Sequence, residues 1–364
     1  MNLKDSRVFI TGATGFIGGR IAERLWLEYH VRARCLVQDS SHAVRLARLP
    51  VIFCPGNVLD SESLDKGIGN SDVIFHCAYG STADQQLNSR INEEGLRNLG
   101  EFALRRGTKR FIHMSSAAVY GANLPEVVTE GTPVSYSADE YGNSKIRTEA
   151  ICHELSVQGL PVVIIRPTIV FGPFSPIWTI GVMKRVLSGG WEFSTPVQGL
   201  CNPVYIDDLV NGLFLCVEND ASIGETFILS GPEAILWDDF FNSYKKLINF
   251  GEMQHYLGRR KINVVNSFAG TVSRLTVRWL RKFMEPRMVD MYEWMKIAHP
   301  KMAYNISAIL HATVDENEKA RFNQRSLFSI EKAKKYLGYS PRPFEEGMKS
   351  TASWLNYYEY VPKP

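Results

Sequence analysis

Thr11-Gly-Ala-Thr-Gly-Phe-Ile-Gly18 stands between an apolar run, Arg7-Val-Phe-Ile10, and a stretch in which Ile17, Ile21, Ala22, Leu25 and Trp26 recur at helical spacing. The pattern predicts a buried strand, a tight turn and an amphipathic helix. Gly12, Gly15 and Gly18 punctuate it. Glycine lets the chain turn sharply, lets a pyrophosphate approach the backbone, and lets the helix pack close to the sheet. The helix start, with Thr14, Phe16 and Ile17 beside the glycines, then offers free N–H groups and a positive dipole end to phosphates. This arrangement predicts a dinucleotide site.

The next predicted strand, Ala33-Arg-Cys-Leu-Val37, ends at Gln38, where an acid would favour NAD and a cation NADP. Gln38 is neither. Asp39 serves only if the strand slips by one; otherwise it caps a helix starting near His42. Arg45, on that helix, either reaches a 2′-phosphate or is a solvated arginine. The expectation, NAD(P), leans to NADP.

Val51–Cys54, Val73–Cys77, Arg110–Met114 and Val162–Ile165 are further apolar runs separated by helical stretches. This alternation predicts an α/β doubly wound parallel sheet covered on both faces. Ligands bind at the carboxyl ends of such strands. Gly12, Ala78, Ser116 and Arg166 fall there, with Gly80 and Thr168 as candidate substrate contacts and Pro167 on the cofactor side. Residues 1–172 are expected to form the dinucleotide-binding unit, with 203–229 returning to it through a helix and a strand at Thr226–Leu229. Residues 173–202, loop-rich with Trp178 and Trp191, and 230–364, mostly helical, are expected to build a substrate lobe.

Tyr141-Gly-Asn-Ser-Lys145 places a phenol and an ammonium four residues apart, on one face of a helix. Such an ammonium is expected to depress the phenol's pKa from its usual ~10 toward neutrality. A phenol so tuned is a general acid–base for a secondary alcohol or ketone. A serine of the Ser115-Ser116 pair can hold the same oxygen.

With 364 residues, 45% of them hydrophobic, the chain can bury a large core, and a net charge of +3 is too small to argue for nucleic acid. No signal peptide or membrane-spanning run is read, and the expectation is a cytoplasmic protein. None of the six cysteines is spaced for zinc or a redox pair, so they read as buried, reduced thiols and no metal is expected. From Arg259 to Lys301, Val272, Leu275, Trp279 and Phe283 interleave with Arg274, Arg278 and Arg281. The segment reads as a lobe helix with solvated arginines, membrane-surface contact being the lesser reading.

Taken together, Thr11-Gly-xx-Gly-xx-Gly18, His76-Cys-Ala78, Asn92-xx-Gly95, Ser115-Ser-xx-Val-Tyr-Gly121, Tyr141-xxx-Lys145, Arg166-Pro167, Gly172-Pro173 and Val204-Tyr-Ile-Asp-Asp208 resemble an extended short-chain dehydrogenase/reductase of the NAD-dependent epimerase/dehydratase group. The resemblance takes in nearly the whole chain except about 253–322. It implies that Tyr141 is the acid–base and that Lys145 binds the nicotinamide ribose. It also implies that Ser116, directly before Ala-Ala-Val-Tyr-Gly, bonds the reacting oxygen, and that Asn57-Val58 stands where Asp-Val usually meets adenine.

The departures matter as much. Dehydratases of the group carry an Asp-Glu pair, and decarboxylases a glutamate, where this chain has Ala117-Ala118. Elimination and decarboxylation are therefore not expected. Many nucleotide-sugar epimerases place an asparagine where Ile169 stands, a point at which the chain is closer to flavonoid-reductase and hydroxysteroid-dehydrogenase-like members. The resemblance implies an NAD(P)-dependent enzyme moving hydride at a secondary alcohol or ketone carbon. The expected substrate is an activated sugar, met by an epimerase or a sugar ketoreductase. A reductase of a larger apolar ketone is the alternative, and a dinucleotide-binding sensor that does no chemistry a lesser one. A homodimer is implied by the group's habit of pairing helices near the serine and tyrosine.

Overall fold

Seven strands form one sheet in the computed structural model, which describes residues 1–187, 198–247 and 316–357. They are β1 (Val8–Thr11), β2 (Arg34–Val37), β3 (Ile52–Pro55), β4 (Val73–His76), β5 (Arg110–Met114), β6 (Val162–Pro167) and β7 (Thr226–Leu229). The order is β3-β2-β1-β4-β5-β6-β7, and every neighbouring pair is parallel. The chain starts at β1, runs outward to β3, then crosses back to β4 on β1's other side. The crevice at the carboxyl ends of β1 and β4 is the point where such a sheet takes its ligand.

Strand alternation divides the core. Val8, Ile10, Val73, Phe75 and Ile112 face α1 (Phe16–Tyr29) and its neighbours, joining Ile21, Leu25, Leu209 and Leu213. Phe9, Ile74 and Phe111 face the other way, with Leu64 of α2 (Ser61–Ile68), Leu96 and Leu99 of α3 (Gly95–Arg105), and Leu155 of α4 (Glu140–Val157). Both faces being covered explains the unbroken burial along β1, β4, β5 and β6. As expected, α5 (Ile206–Glu218) leads into β7, whose Ile228 pairs in register with Arg166.

Beyond the sheet, Trp178, Trp237, Phe240 and Phe241 pack with Phe322, the Trp237–Phe322 ring centroids lying 4.8 Å apart. Trp237, Phe240 and Phe241 belong to α6 (Trp237–Leu247). The loop expected after Pro173 is partly helical instead: Pro176–Gly181 and Val182–Leu187 are wound, started by Ser175, whose hydroxyl accepts from the Trp178 N–H at 3.3 Å. A serine cap followed by proline in the first turn is a helix start; the aromatic residues had masked it. The C-terminal part, with α7 (Glu331–Leu337) and α8 (Phe344–Tyr357), returns to the sheet unit through Arg342, which bonds Asp208 at 3.0 Å. The basic segment 259–301 and Trp191 lie outside the described residues. Among the described residues no helix is long and apolar enough to cross a membrane.

Candidate active site

At the end of β1, Gly12 has φ +69°, and a Cβ there would lie 2.5 Å from the backbone of Cys77 and 2.6 Å from that of Ala78. A side chain at Gly18 would collide with the carbonyl of Gly12. Both positions therefore require glycine for space. Gly15 caps α1 without any side-chain hydrogen bond, and no acid occupies the first turn, Phe16 and Ile17 included. The first N–H groups of the helix, with Thr14 just ahead of them, are thus uncontested and the dipole is unneutralised. This cradle fits a dinucleotide pyrophosphate.

Around it, Thr11 Oγ1 lies 2.7 Å from His76 Nδ1 and accepts from the Ala78 N–H at 3.3 Å, tying β1 to β4 beneath the crevice. Burial holds His76 down to about 3, so it is a neutral support. Gln38 is exposed just past β2, and Asp39 caps a short 3-10 turn, Ser40–Ala43, by accepting from the Ser41 N–H at 2.8 Å. Asn57 Oδ1 accepts from the Leu59 N–H at 2.9 Å, while Val58 is buried where a side chain on Gly95 would strike it. Pro167 closes β6, and Thr168 Oγ1 donates to Ser230 at 3.0 Å.

Arg45 is held by partners from other segments. Its guanidinium makes two bonds to Glu23 of α1, at 2.6 and 2.5 Å, and lies 4.3 Å from the centroid of Phe174. With 16% of the side chain exposed, it is not a solvated helix arginine, and its Nη1 donates to the Phe16 carbonyl at 3.4 Å, at the start of α1. The reason is tertiary: Glu23 and Phe174, from two other segments, converge on it.

The acid–base side is built on α4. Asp139 caps that helix, accepting from the Tyr141 N–H at 3.2 Å, so the phenol enters on the first turn. Tyr141 is 41% exposed as a residue, but its hydroxyl end is buried beside Ser116. That burial raises the phenol above its ordinary pKa, and a hydrogen bond with Ser116 pulls it partway back. The depression expected from Lys145 is absent: the Lys145 ammonium is buried, donates to the Met114 carbonyl at 2.7 Å, and stands 5.9 Å from the Tyr141 ring centroid. Burial lowers Lys145 itself to about 8. A group four residues away on a helix is a neighbour, but here the desolvation of both partners outweighs their attraction.

Ser115 and Ser116 separate cleanly. Ser115 is buried and donates to Glu149 at 2.5 Å, and Glu149 in turn pairs with Arg166 at 2.6 Å. Ser116 turns toward Tyr141 and also caps the turn Ala117–Tyr120, accepting from the Ala118 N–H at 3.1 Å. Ala117 and Ala118 follow within that turn, with nothing on them to move a proton.

Two contributors, Tyr79 and Arg321, went unmarked in the sequence, and a third, Asn92, was quoted without a role. Asn92 is buried, accepts from the Gly80 N–H at 2.7 Å and donates to Ser144 at 3.3 Å, so it fastens the loop after β4 to α4. The Asn92-xx-Gly95 spacing was visible, but its partners were not. Tyr79 packs its ring edge-on to Tyr141, 5.1 Å between centroids. Arg321, on the helix Glu316–Asn323, lies close enough to lower the Tyr141 pKa and sits 5.8 Å from the Trp178 ring. A cleft of ≈ 1030 Å³ is lined by Leu124, Glu126, Leu200, Asp238, Gln324 and Arg325, and none of Ser116, Tyr141 and Lys145 borders it.

The chain is similar to known proteins over most of its length. A UDP-glucose 4-epimerase of Vibrio cholerae is 29% identical over 236 residues, 61% of this chain and 70% of that one. A 3-beta-hydroxysteroid dehydrogenase of Mycolicibacterium neoaurum is 22% identical over 97% of this chain and 91% of its own. The structure of a UDP-glucuronic acid 4-epimerase from Bacillus cereus, in complex with UDP-glucuronic acid and NAD, superposes with a TM-score of 0.66 at 20% identity, covering 97% of this chain and 99% of that one. The profile of the NAD dependent epimerase/dehydratase family matches residues 8–229, from the first strand of the sheet to the last, and the chain belongs to that family.

Proposed function

We propose that the substrate of this NAD-dependent hydride-transfer enzyme is a nucleotide-activated sugar, oxidised or reduced at one secondary carbon, as an epimerase or a sugar ketoreductase. The observation that carries the reading is the convergence of Ser116, Tyr141 and Lys145 beside the glycine cradle, with alanines at 117 and 118. Glycines 12, 15 and 18 and the first turn of α1 would hold the cofactor's pyrophosphate, and Lys145 its nicotinamide ribose. Bound NAD would supply the hydride acceptor at nicotinamide C4.

The chain's own part is proton transfer. Tyr141 Oη gives its proton to the carbonyl oxygen during reduction, becoming phenolate, and as phenolate it takes the hydroxyl proton in the oxidising direction. Ser116 fixes the same oxygen, and Lys145, charged below about pH 8, would hold the nicotinamide ribose beside it. Arg45 being engaged by Glu23, the reading commits to NAD rather than NADP. The free thiols, all six of them, suit a reducing compartment such as the cytoplasm. A homodimer through α3 and α4 belongs to the same reading; their outer faces are joined by Arg97–Glu154 at 2.7 Å, and light scattering of the purified protein checks it.

Incubation with UDP-, GDP- and dTDP-sugars, with and without NAD(P)H, tests the substrate when products are read by NMR. An epimer without net cofactor loss establishes an epimerase, and stoichiometric cofactor loss on a keto-sugar a reductase. A 4-keto-6-deoxy sugar or released CO₂ overturns the argument from the alanines. A second reading, an apolar ketone, is favoured by Ile169 and by the aromatic lobe around Trp178 and Trp237; it takes over if no nucleotide sugar reacts.

A further inference from the structure

Tyr79 stands three residues past β4, between the predicted contacts Ala78 and Gly80, and touches both groups of the acid–base pair. Its ring meets Tyr141 edge-on, with centroids 5.1 Å apart and planes at 78°. The same ring presents its face to Lys145, whose ammonium lies 4.6 Å from the centroid, nearer than it is to the ring of Tyr141. Its hydroxyl bonds Ser144, the residue just before Lys145, which also accepts from Asn92 at 3.3 Å. A half-buried aromatic held at its rim by a hydrogen bond and at its face by a cation has little freedom to swing away.

That placement is not required by the sheet. The ring takes no part in the core clusters on either face, and it stands at the carboxyl end of β4, where ligands enter. We infer that Tyr79 is the wall of the substrate pocket at the reacting carbon, keeping water and branched substituents from one side of the Tyr141 hydroxyl and thereby determining which alcohols reach it. The inference rests on the reading of Tyr141 as the acid–base. Tyr79 is a specificity-determining residue in this account: it donates no proton, and its phenol is pushed up by burial.

The groups that face the Tyr141 hydroxyl are Ser116, Tyr79, Asp139 and Arg321, with Lys145 across the ring. Removing the Tyr79 ring admits water, and solvation favours phenolate, so the Tyr141 titration should move down. The purified protein, labelled with ¹³Cζ-tyrosine, is titrated by NMR with and without NAD, the Tyr141 signal being assigned by its loss in Tyr141→Phe. Tyr79→Ala should lower the Tyr141 midpoint by about half a unit or more. Tyr79→Phe and Tyr79→Leu, which keep bulk in place, should leave most of it. An unchanged midpoint in Tyr79→Ala, or the same shift in all three variants, overturns the wall.

Circular dichroism and thermal melting certify that each variant is folded. On the nucleotide-sugar panel, extended to analogues branched next to the reacting carbon, Tyr79→Ala should gain roughly tenfold in kcat/KM for branched over unbranched substrates, the scale of a methylene-sized change in a pocket. Tyr79→Phe should match the unsubstituted protein; an equal gain there overturns the proposal. If no panel member turns over in any variant, the nucleotide-sugar reading falls, while the titration still decides the wall.

Discussion

Lys145 and Arg45 are two cations assigned to the cofactor by sequence, and the fold treats them oppositely. Lys145 lies on a regular helix, one turn after Tyr141, and its ammonium is buried with a single backbone partner, the Met114 carbonyl. Arg45 lies between two short 3-10 turns, Ser40–Ala43 and Leu46–Arg48, and its Nε and Nη2 are bonded to Glu23 while Nη1 donates to the Phe16 carbonyl. A cation with spare donors at a crevice can serve a ligand. A cation already neutralised by a carboxylate serves the fold. Spacing along one helix predicted the first, because i and i+4 must share a face. Nothing local predicted the second, because Glu23 and Phe174 come from distant segments.

The sharpest break in the comparison is on the catalytic side. Tyr141→Phe deletes one hydroxyl and no packing, and turnover should fall by ~10²–10⁴, the usual worth of general acid–base catalysis. Dinucleotide affinity, read by calorimetry, should stay within about twofold. Near-normal turnover would mean that the Ser116–Tyr141 contact is structural only.

Next in size is Lys145→Met, which keeps the stem and removes the charge. We expect turnover down by roughly 10² and weaker cofactor binding together, because one ammonium serves both. The pH dependence carries the sign. Burial holds Lys145 at about 8, well below a free lysine, so the charged form is lost as pH rises through that value. A rate limb that falls above about pH 8 in the parent and vanishes in Lys145→Met would tie it to this group. A limb that persists in the variant would assign it elsewhere. Folding stability runs the other way: the neutral form is favoured in the native state, so the cost of burying the charge eases as pH rises from about 8 toward the unfolded lysine's value.

How much was legible follows the same division. The sheet, its parallel order and the strand at Thr226–Leu229 could be read because apolar runs, glycines and helical spacing are local marks of elements buried on both faces. The glycine cradle was legible because only a residue without Cβ fits where Gly12 meets Cys77 and Ala78. The trio was named, though the balance of burial and charge that raises Tyr141 was not, because desolvation depends on what surrounds a hydroxyl. Tyr79 escaped for a related reason: an aromatic in a loop has no periodicity, and Asn92, visible in its spacing to Gly95, showed none of its partners. The choice between Ser115 and Ser116 came out of the residues that follow, and the structure gives its physical basis in Glu149 and Arg166, which claim Ser115 from behind.

The smallest expected effect is the one that decides what Arg45 is for. If it read a 2′-phosphate, Arg45→Ala would weaken NADP while leaving NAD unchanged. The geometry predicts a different outcome. The Arg45–Glu23 pair is largely buried, with 16% and 17% of the two side chains exposed, and Glu23 keeps Arg20 at 3.0 Å as a second partner. Removing Arg45 therefore half-neutralises rather than strands the carboxylate, and it uncovers the Phe174 ring. Stability should fall by about 1–3 kcal/mol, the range for losing a charge-assisted hydrogen bond with one partner left behind. Glu23 should lose part of its depression, so the loss should be largest above the unfolded glutamate's pKa and shrink as pH falls through the folded one. The ratio of NADP to NAD affinity, measured by titrating both cofactors into parent and variant, should change by less than about twofold, well under the tenfold that 1.4 kcal/mol would bring. A selective loss of NADP with unchanged melting would return Arg45 to the cofactor and erase its contrast with Lys145.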